Sequence, residues 1–265
     1  MLKKLYKHEF YSLFRTLLPI YGALLGFAVI NRLMLLFETE NAALNVVQGF
    51  TTAFYVFSIV AMFVVGFVIV ILRFYRNLLT HEGYLTFSLP VTATQHITCK
   101  LVCGILVTYV NFVAVCLSLL ILGAGSDILK EVFETLKYSF DAAVNYFGEG
   151  RVALFIVQII AMIIITTVQG VLMFYVSMAI GQQFKNKILG SAIAYICIYA
   201  AVEMITALFM LPIMVGYAAE FEKFMNSGIE AVQLFLIFPM ALSLILAVVY
   251  FFVTRYFLTK KLNLE

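Results

Sequence analysis

Charge is scarce in this chain. Of its 265 residues only 12% are Asp, Glu, Lys or Arg, while 64% are hydrophobic; soluble domains run near roughly 25% charged and 45–50% apolar. That shortage excludes a water-soluble fold, because even a domain of about 300 residues leaves roughly a quarter of its chain surface in water. Lipid must be the solvent for most of these side chains, in keeping with a mean hydropathy of +1.06. A basic tract is missing too: 17 Lys and Arg against 14 Asp and Glu leave a formal charge of +3, which offers nucleic acid no footprint.

Catalytic signatures are equally absent. The string His81-Glu82-Gly83-Tyr84-Leu85 opens like the zinc motif H-E-x-x-H but has Leu where the second imidazole must stand. No glycine is followed two positions later by serine, so there is no nucleophile elbow. No lysine precedes Ser or Thr, so the chain has no phosphate-binding P-loop, and any ATP is bound by another chain. Cys99 and Cys103 are four apart without a matching Cys or His pair, and with Cys116 and Cys197 they read as small buried hydrophobes. Neither metal nor cofactor is expected in this chain. A Pro/Gly/Ser-rich linker is also lacking, so residues 1–265 read as one membrane domain.

Apolar length is what the chain has. A helix needs about 20 apolar residues to cross roughly 30 Å of hydrocarbon, and six runs qualify: about 16–37, 50–72, 97–122, 152–180, 188–217 and 234–257. Arg32 lies near enough to one end of the first to snorkel. Residues 1–15 precede it with Leu2, Leu5, Tyr6, Phe10, Leu13 and Phe14 at helical spacing and Lys3, Lys4 and Lys7 between them, which predicts an amphipathic helix at the interface. The fold class expected is an all-α polytopic membrane protein.

Orientation follows from the loops, since Lys and Arg favour the cytoplasmic side. With the N-terminus inside, Lys3, Lys4, Lys7, Arg15, Arg73, Arg76, Lys100, Lys185, Lys187, Arg255, Lys260 and Lys261 are cytoplasmic, and only Arg32, Lys130, Lys137, Arg151 and Lys223 are external. Six spans with both termini cytoplasmic are expected. Residues 73–96 then form a cytoplasmic loop and 123–151 an external one. In the latter, Ser126 is placed to cap a helix whose face carries Ile128, Leu129, Val132, Phe133 and Leu136. Residues 217–233 form a shorter external loop.

Polar residues inside the spans line up as well. Gly104, Thr108, Asn111 and Ser118 share a face of the third span, and Gln158, Thr166 and Gln169 one of the fourth. Ser191, Tyr195, Tyr199, Glu203 and Thr206 make a stripe on the fifth, with a carboxylate at mid-span. Such residues serve either as glue between helices or as the lining of a substrate path. Glu203 is accordingly either an acid hydrogen-bonded to Tyr199 or a neighbouring helix, or a contact for a polar or cationic part of a substrate.

The 73–96 loop is the most distinctive stretch. Leu78, Leu85 and Leu89 can share a helical face, Pro90 stops that element, and Thr92 with Gln95 fits a capping box opening the third span. Glu82-Gly83-Tyr84-Leu85-Thr86-Phe87-Ser88-Leu89-Pro90-Val91, followed by Lys100, resembles the E-G-Y-L-T-F-[ST]-L-P-V pattern of the permease subunits of type-2 ABC exporters, in particular short six-span permeases. His81 and Thr94 depart from that pattern, and the ending Lys260-Lys261-Leu262-Asn263-Leu264-Glu265 is similar to the family's.

The resemblance implies a pair of permeases, identical or paralogous, above two ATP-binding cassette subunits that hold ATP and Mg. It implies a peptide or other amphipathic substrate moved across the cytoplasmic membrane. Arg76, Glu82, Gly83, Tyr84, Leu85, Phe87, Leu89 and Pro90 would form the coupling surface, and Glu203, Tyr199, Tyr195, Thr206, Asn111 and Gln169 the substrate path. Two other classes stay open on the residues alone: a non-transporting membrane scaffold or sensor, and a membrane enzyme whose catalytic pair is not visible.

The charge asymmetry sets a test of orientation. In a chain stripped of its four native cysteines, a cysteine near Glu131 or Glu222 should react with an impermeant thiol reagent in whole cells, and one near Glu82 should not. Labelling at Glu82 from outside would overturn the orientation.

Overall fold

A computed structural model describes residues 2–36, 42–80, 83–84, 88, 91–216 and 229–261. Among these, the chain is helical without a strand, in seven helices: α1 Leu2–Leu36, α2 Ala42–Leu79, α3 Ala93–Gly123, α4 Asp127–Phe147, α5 Glu149–Gly181, α6 Lys187–Gly216 and α7 Ile229–Lys260. All but α4 are long and apolar enough to cross a membrane, so the chain is a six-span, all-helical membrane protein. Lipid dictates this economy, since a helix satisfies its backbone within itself. The amphipathic N-terminal stretch runs without a break into the first span as the single helix α1, which continues through Pro19.

The chain divides into two compact units. The first comprises residues 1–73 and 98–137. In it Leu13, Leu17, Tyr21, Leu24 and Ala28 form one stripe of α1 and pack with Tyr55 and Met62 of α2 and with Cys99, Cys103, Val107 and Ala114 of α3. Three pairs of polar side chains join the helices of this bundle, while the buried Tyr109 hydroxyl has no hydrogen-bond partner among the described residues. The Tyr21 hydroxyl donates to Asn111 Oδ1 at 2.7 Å, the Thr52 hydroxyl to Asn31 Oδ1 at 3.1 Å, and the Tyr55 and Ser118 hydroxyls lie 2.9 Å apart. Gly66 makes room for the Asn111 amide, whose nitrogen would stand 2.5 Å from a Cβ there.

The second unit comprises residues 74–97 and 138–265. Here α5 packs along α7 and α6, and its stretch Leu172 to Ala179 is buried at Leu172, Met173, Tyr175, Val176, Ser177, Met178 and Ala179. Tyr175 stacks on Phe74 with ring centres 3.9 Å apart. Gln158 donates to the Gln233 carbonyl at 2.7 Å, and Gln233 returns to α5 by donating to the Arg151 carbonyl at 2.9 Å.

Two expectations change. Ser126, expected to cap α4, donates its hydroxyl to the Gly123 carbonyl at 2.7 Å, so the bond formed closes the end of α3. Cys99 and Cys103 are buried, but Cys116 and Cys197 are exposed on the helix surface. A position within a span is not the same as one within the protein, because lipid tails are as apolar as a helix neighbour.

The turn from α5 into α6 depends on Gly181. A Cβ there would fall 2.5 Å from the Ser191 backbone nitrogen and 2.6 Å from its Cα, atoms that cannot rotate away. Gly181→Ala should cost about 1–3 kcal/mol by overpacking, read as a lower Tm in detergent, while Gly170→Ala, inside α5 where nothing lies within 4 Å, should leave Tm unchanged or raise it, Ala being the better helix former. Equal Tm values for the two variants would refute this account of the turn.

Candidate functional site

The most unusual chemistry in the first unit is a buried ion cluster at one end of its three helices. Glu9 of α1 sits between Leu5, Tyr6 and Leu13, all of which pack into the core, and its side chain is only 8% exposed. Lys100 of α3 donates to its Oε1 at 2.6 Å. Arg73 of α2 donates to the same oxygen at 3.4 Å and to the Glu9 carbonyl at 3.5 Å, and its other terminal nitrogen donates to the Ser12 hydroxyl. Arg73 is the wettest member, with 23% of its side chain exposed. One carboxylate thus holds two cations from two other helices. Cys99 and Cys103, hydrogen-bonded to one another, flank Lys100, and Tyr6 bonds to Thr98 beside them.

Burying a charge costs several kcal/mol unless its partners come with it. Glu9 can therefore leave water only where Lys100 and Arg73 meet it, and the cluster pins the start of α1 to the end of α2 and the beginning of α3, the two helix segments on either side of residues 80–92. Glu9 reads in sequence as one more interfacial charge. Its amphipathic stretch hid the role because the carboxylate occupies the apolar face, one turn before Leu13.

The loop is described in part. Arg76 lies in the last turn of α2, where a cation suits the helix dipole, and its carbonyl accepts the Thr80 hydroxyl at 2.5 Å. Gly83 is buried and donates its backbone N–H to the Thr80 carbonyl at 2.8 Å, whereas Tyr84 is exposed. Glu82, Leu85, Phe87, Leu89 and Pro90 lie outside the described residues. The capping box is as expected: Thr92 N–H donates to Gln95 Oε1 at 3.0 Å, and Gln95 N–H to Thr92 Oγ1 at 3.4 Å.

The polar stripes are distributed over both units. Asn111 belongs to the first, where Tyr21 occupies its side-chain oxygen. Glu203, Tyr199, Tyr195, Thr206 and Gln169 belong to the second. On α6, Phe174 of α5 stacks on Tyr195 at 4.5 Å, Tyr195 on Tyr199 at 6.4 Å, and Tyr199 is hydrogen-bonded to Glu203. Tyr199 and Glu203 are exposed on the outer surface of the chain. Thr206 turns its hydroxyl back to the Val202 carbonyl at 2.9 Å, and Gln169 is half-buried.

Among the described residues no three His, Cys, Asp or Glu side chains gather in a way that could hold a metal ion. Compared with known proteins, the chain matches no family model, no curated protein and no solved structure.

The ion cluster makes a quantitative prediction. Glu9→Gln keeps the shape but leaves two cations without their anion, and should cost about 3 kcal/mol or more. Adding Lys100→Met should recover a large part of that loss, giving a coupling energy above about 1 kcal/mol in a double-mutant cycle. Denaturant or thermal unfolding in micelles measures it. Strictly additive losses would mean that the two side chains do not act as a pair.

Proposed function

We propose that the chain is the membrane-spanning permease subunit of an ATP-driven exporter in the cytoplasmic membrane. A separate ATP-binding cassette subunit binds ATP and Mg and hydrolyses the nucleotide, and a second permease copy or a paralogue completes the membrane unit. The substrate is a peptide or another amphipathic molecule. Beyond the motif of residues 82–91 and Lys100, the observation that supports this reading is the position of the ion cluster. Residues 80–92, a shorter stretch than the loop expected over 73–96, connect α2 to α3. Arg73 lies six residues before the end of α2 at Leu79, Lys100 seven residues after the start of α3 at Ala93, and Glu9 binds both from α1. A soluble ATPase pressing on that loop would move the first turns of α1 with both of the loop's roots. This is the connection a coupling surface needs.

In this reading Tyr84, Leu85, Phe87 and Leu89 form the apolar centre of the contact with the ATPase, with Gly83 and Pro90 shaping the loop and Arg76 and Glu82 at its rim. Tyr195, Tyr199 and Glu203 of α6, with Gln169 of α5, line the substrate's path. Thr206, whose hydroxyl is engaged with the Val202 carbonyl, supports α6 itself, and Asn111, whose side-chain oxygen is engaged with Tyr21, holds α3 to α1 in the first unit.

Apolar anchors at the centre of an interface are worth about 2 kcal/mol or more each. Leu85→Asp with Phe87→Asp should therefore abolish copurification of the ATP-binding subunit while the six-span protein still inserts in the membrane. Copurification of that subunit at the wild-type yield would place the contact elsewhere, and its absence from wild-type preparations would overturn the assignment.

A further inference from the structure

Among the described residues α4 is the one long helix that is not apolar enough to span, and between its first turn, where Leu129 lies against Gly123, and its last, its middle is bare. Its 21 residues make a rod about 31 Å long. Only residues 124–126 join it to α3 and only Gly148 joins it to α5, and both connections turn through glycine at positive φ, +74° at Gly125 and +89° at Gly148. Three residues reach at most about 11 Å. On one side α3 is apolar through Leu119, Leu120, Ile121 and Leu122 to its end, and on the other the apolar run of α5 begins at Val152, just after Arg151. Both ends of the rod are therefore held close to the edge of the hydrocarbon, and a rod held at both ends cannot stand upright from it.

One face of this rod is apolar: Leu129, Val132, Phe133, Leu136, Phe140, Val144 and Phe147 recur at three- and four-residue steps. Its middle, Val132, Phe133, Leu136 and Phe140, is exposed, while Leu129, Val144 and Phe147 at the ends are half-buried. Residues 130–142 are exposed without exception, with Phe133 59% and Leu136 60% exposed. The charges around this face are zoned. At 100° per residue, Lys130 and Lys137, seven apart, fall together along one margin of the apolar stripe, while Asp127, Glu131, Glu134 and Asp141 fall on the far side. Lysines at the margin can extend their stems over apolar surface and put their ammonium groups among phosphates. Carboxylates on the far side stay in water, away from the phosphates that would repel them.

We propose that α4 lies in the lipid headgroup layer, with its apolar face on the acyl chains, Lys130 and Lys137 at phosphate level and its carboxylates toward water. The occupant of the face is phospholipid. The chain contains no tryptophan, so single tryptophans report their surroundings without background. In nanodiscs of phosphatidylcholine whose scaffold protein carries no tryptophan, which expose both membrane faces to the solvent, Phe133→Trp should emit at shorter wavelength than Glu131→Trp. Bromine on the acyl chains should quench Phe133→Trp about twofold or more, as expected for a face about 5–10 Å into the boundary, and iodide should quench Glu131→Trp instead. Phe112→Trp, on the exposed surface of α3, serves as the lipid-facing control. Leu136→Trp and Glu134→Trp repeat the comparison should either first variant fail to insert. Iodide quenching of Phe133→Trp without bromine quenching would place the face in water and overturn the proposal. A short-wavelength emission quenched by neither would place it against protein and overturn it equally.

Discussion

A carboxylate that leaves water needs a counter-charge at hand, and in this protein the counter-charges arrive from two other helices. Glu9, Arg73 and Lys100 each belong to a different helix of the first unit, and none of them is stable in its place without the others. Apolar contact alone specifies little inside a membrane, because a leucine gains nothing by exchanging a lipid tail for a neighbouring helix. Polar pairs set the register instead. From the ion cluster, the bundle carries Tyr21 with Asn111, Asn31 with Thr52 and Tyr55 with Ser118. Each pair fixes the height and rotation of one helix against another, and the Leu13–Ala28 stripe of α1 fills the space between.

The second unit is assembled by shape more than by charge. Ser191 sits against Gly181 and Phe184 against Gly190, contacts that tolerate no larger residue, and the Phe74–Tyr175 stack and the bonds from Gln158 to the Gln233 carbonyl and from Gln233 to the Arg151 carbonyl supply the directional part. This leaves α6 with few partners within the chain. Its outer surface shows Ile188, Ile193, Ile196, Tyr199, Met204 and Leu208 around Glu203, and Tyr199 gives that carboxylate a hydrogen bond within the helix.

The six spans were legible in the sequence because their signal is local: twenty-odd neutral residues between charges need no knowledge of the rest of the chain. The Thr92–Gln95 box and the Tyr199–Glu203 contact were legible for the same reason, lying three and four residues apart. The ion cluster was not. Its members are 64 and 91 positions apart, and each alone has the pattern of a charge at a membrane edge. The partner of Asn111 is 90 residues away in Tyr21, so its place on a polar stripe could not show whether it faced a path or a neighbour. Thr206 shares a face with Glu203 by spacing, yet its hydroxyl prefers its own backbone, a local alternative that spacing does not weigh.

The span of sequence between Glu9 and Lys100 also sets an order of events during synthesis. Ninety-one residues separate them, and at about 5–20 residues per second a ribosome needs roughly 5–18 seconds to make that stretch. Throughout that interval α1 exists with its carboxylate and without the lysine that neutralises it. Water has to hold Glu9 until Arg73 and then Lys100 are made, 64 and 91 residues later, so the first turns of α1, although made first, cannot settle among the three helices until both cations have followed.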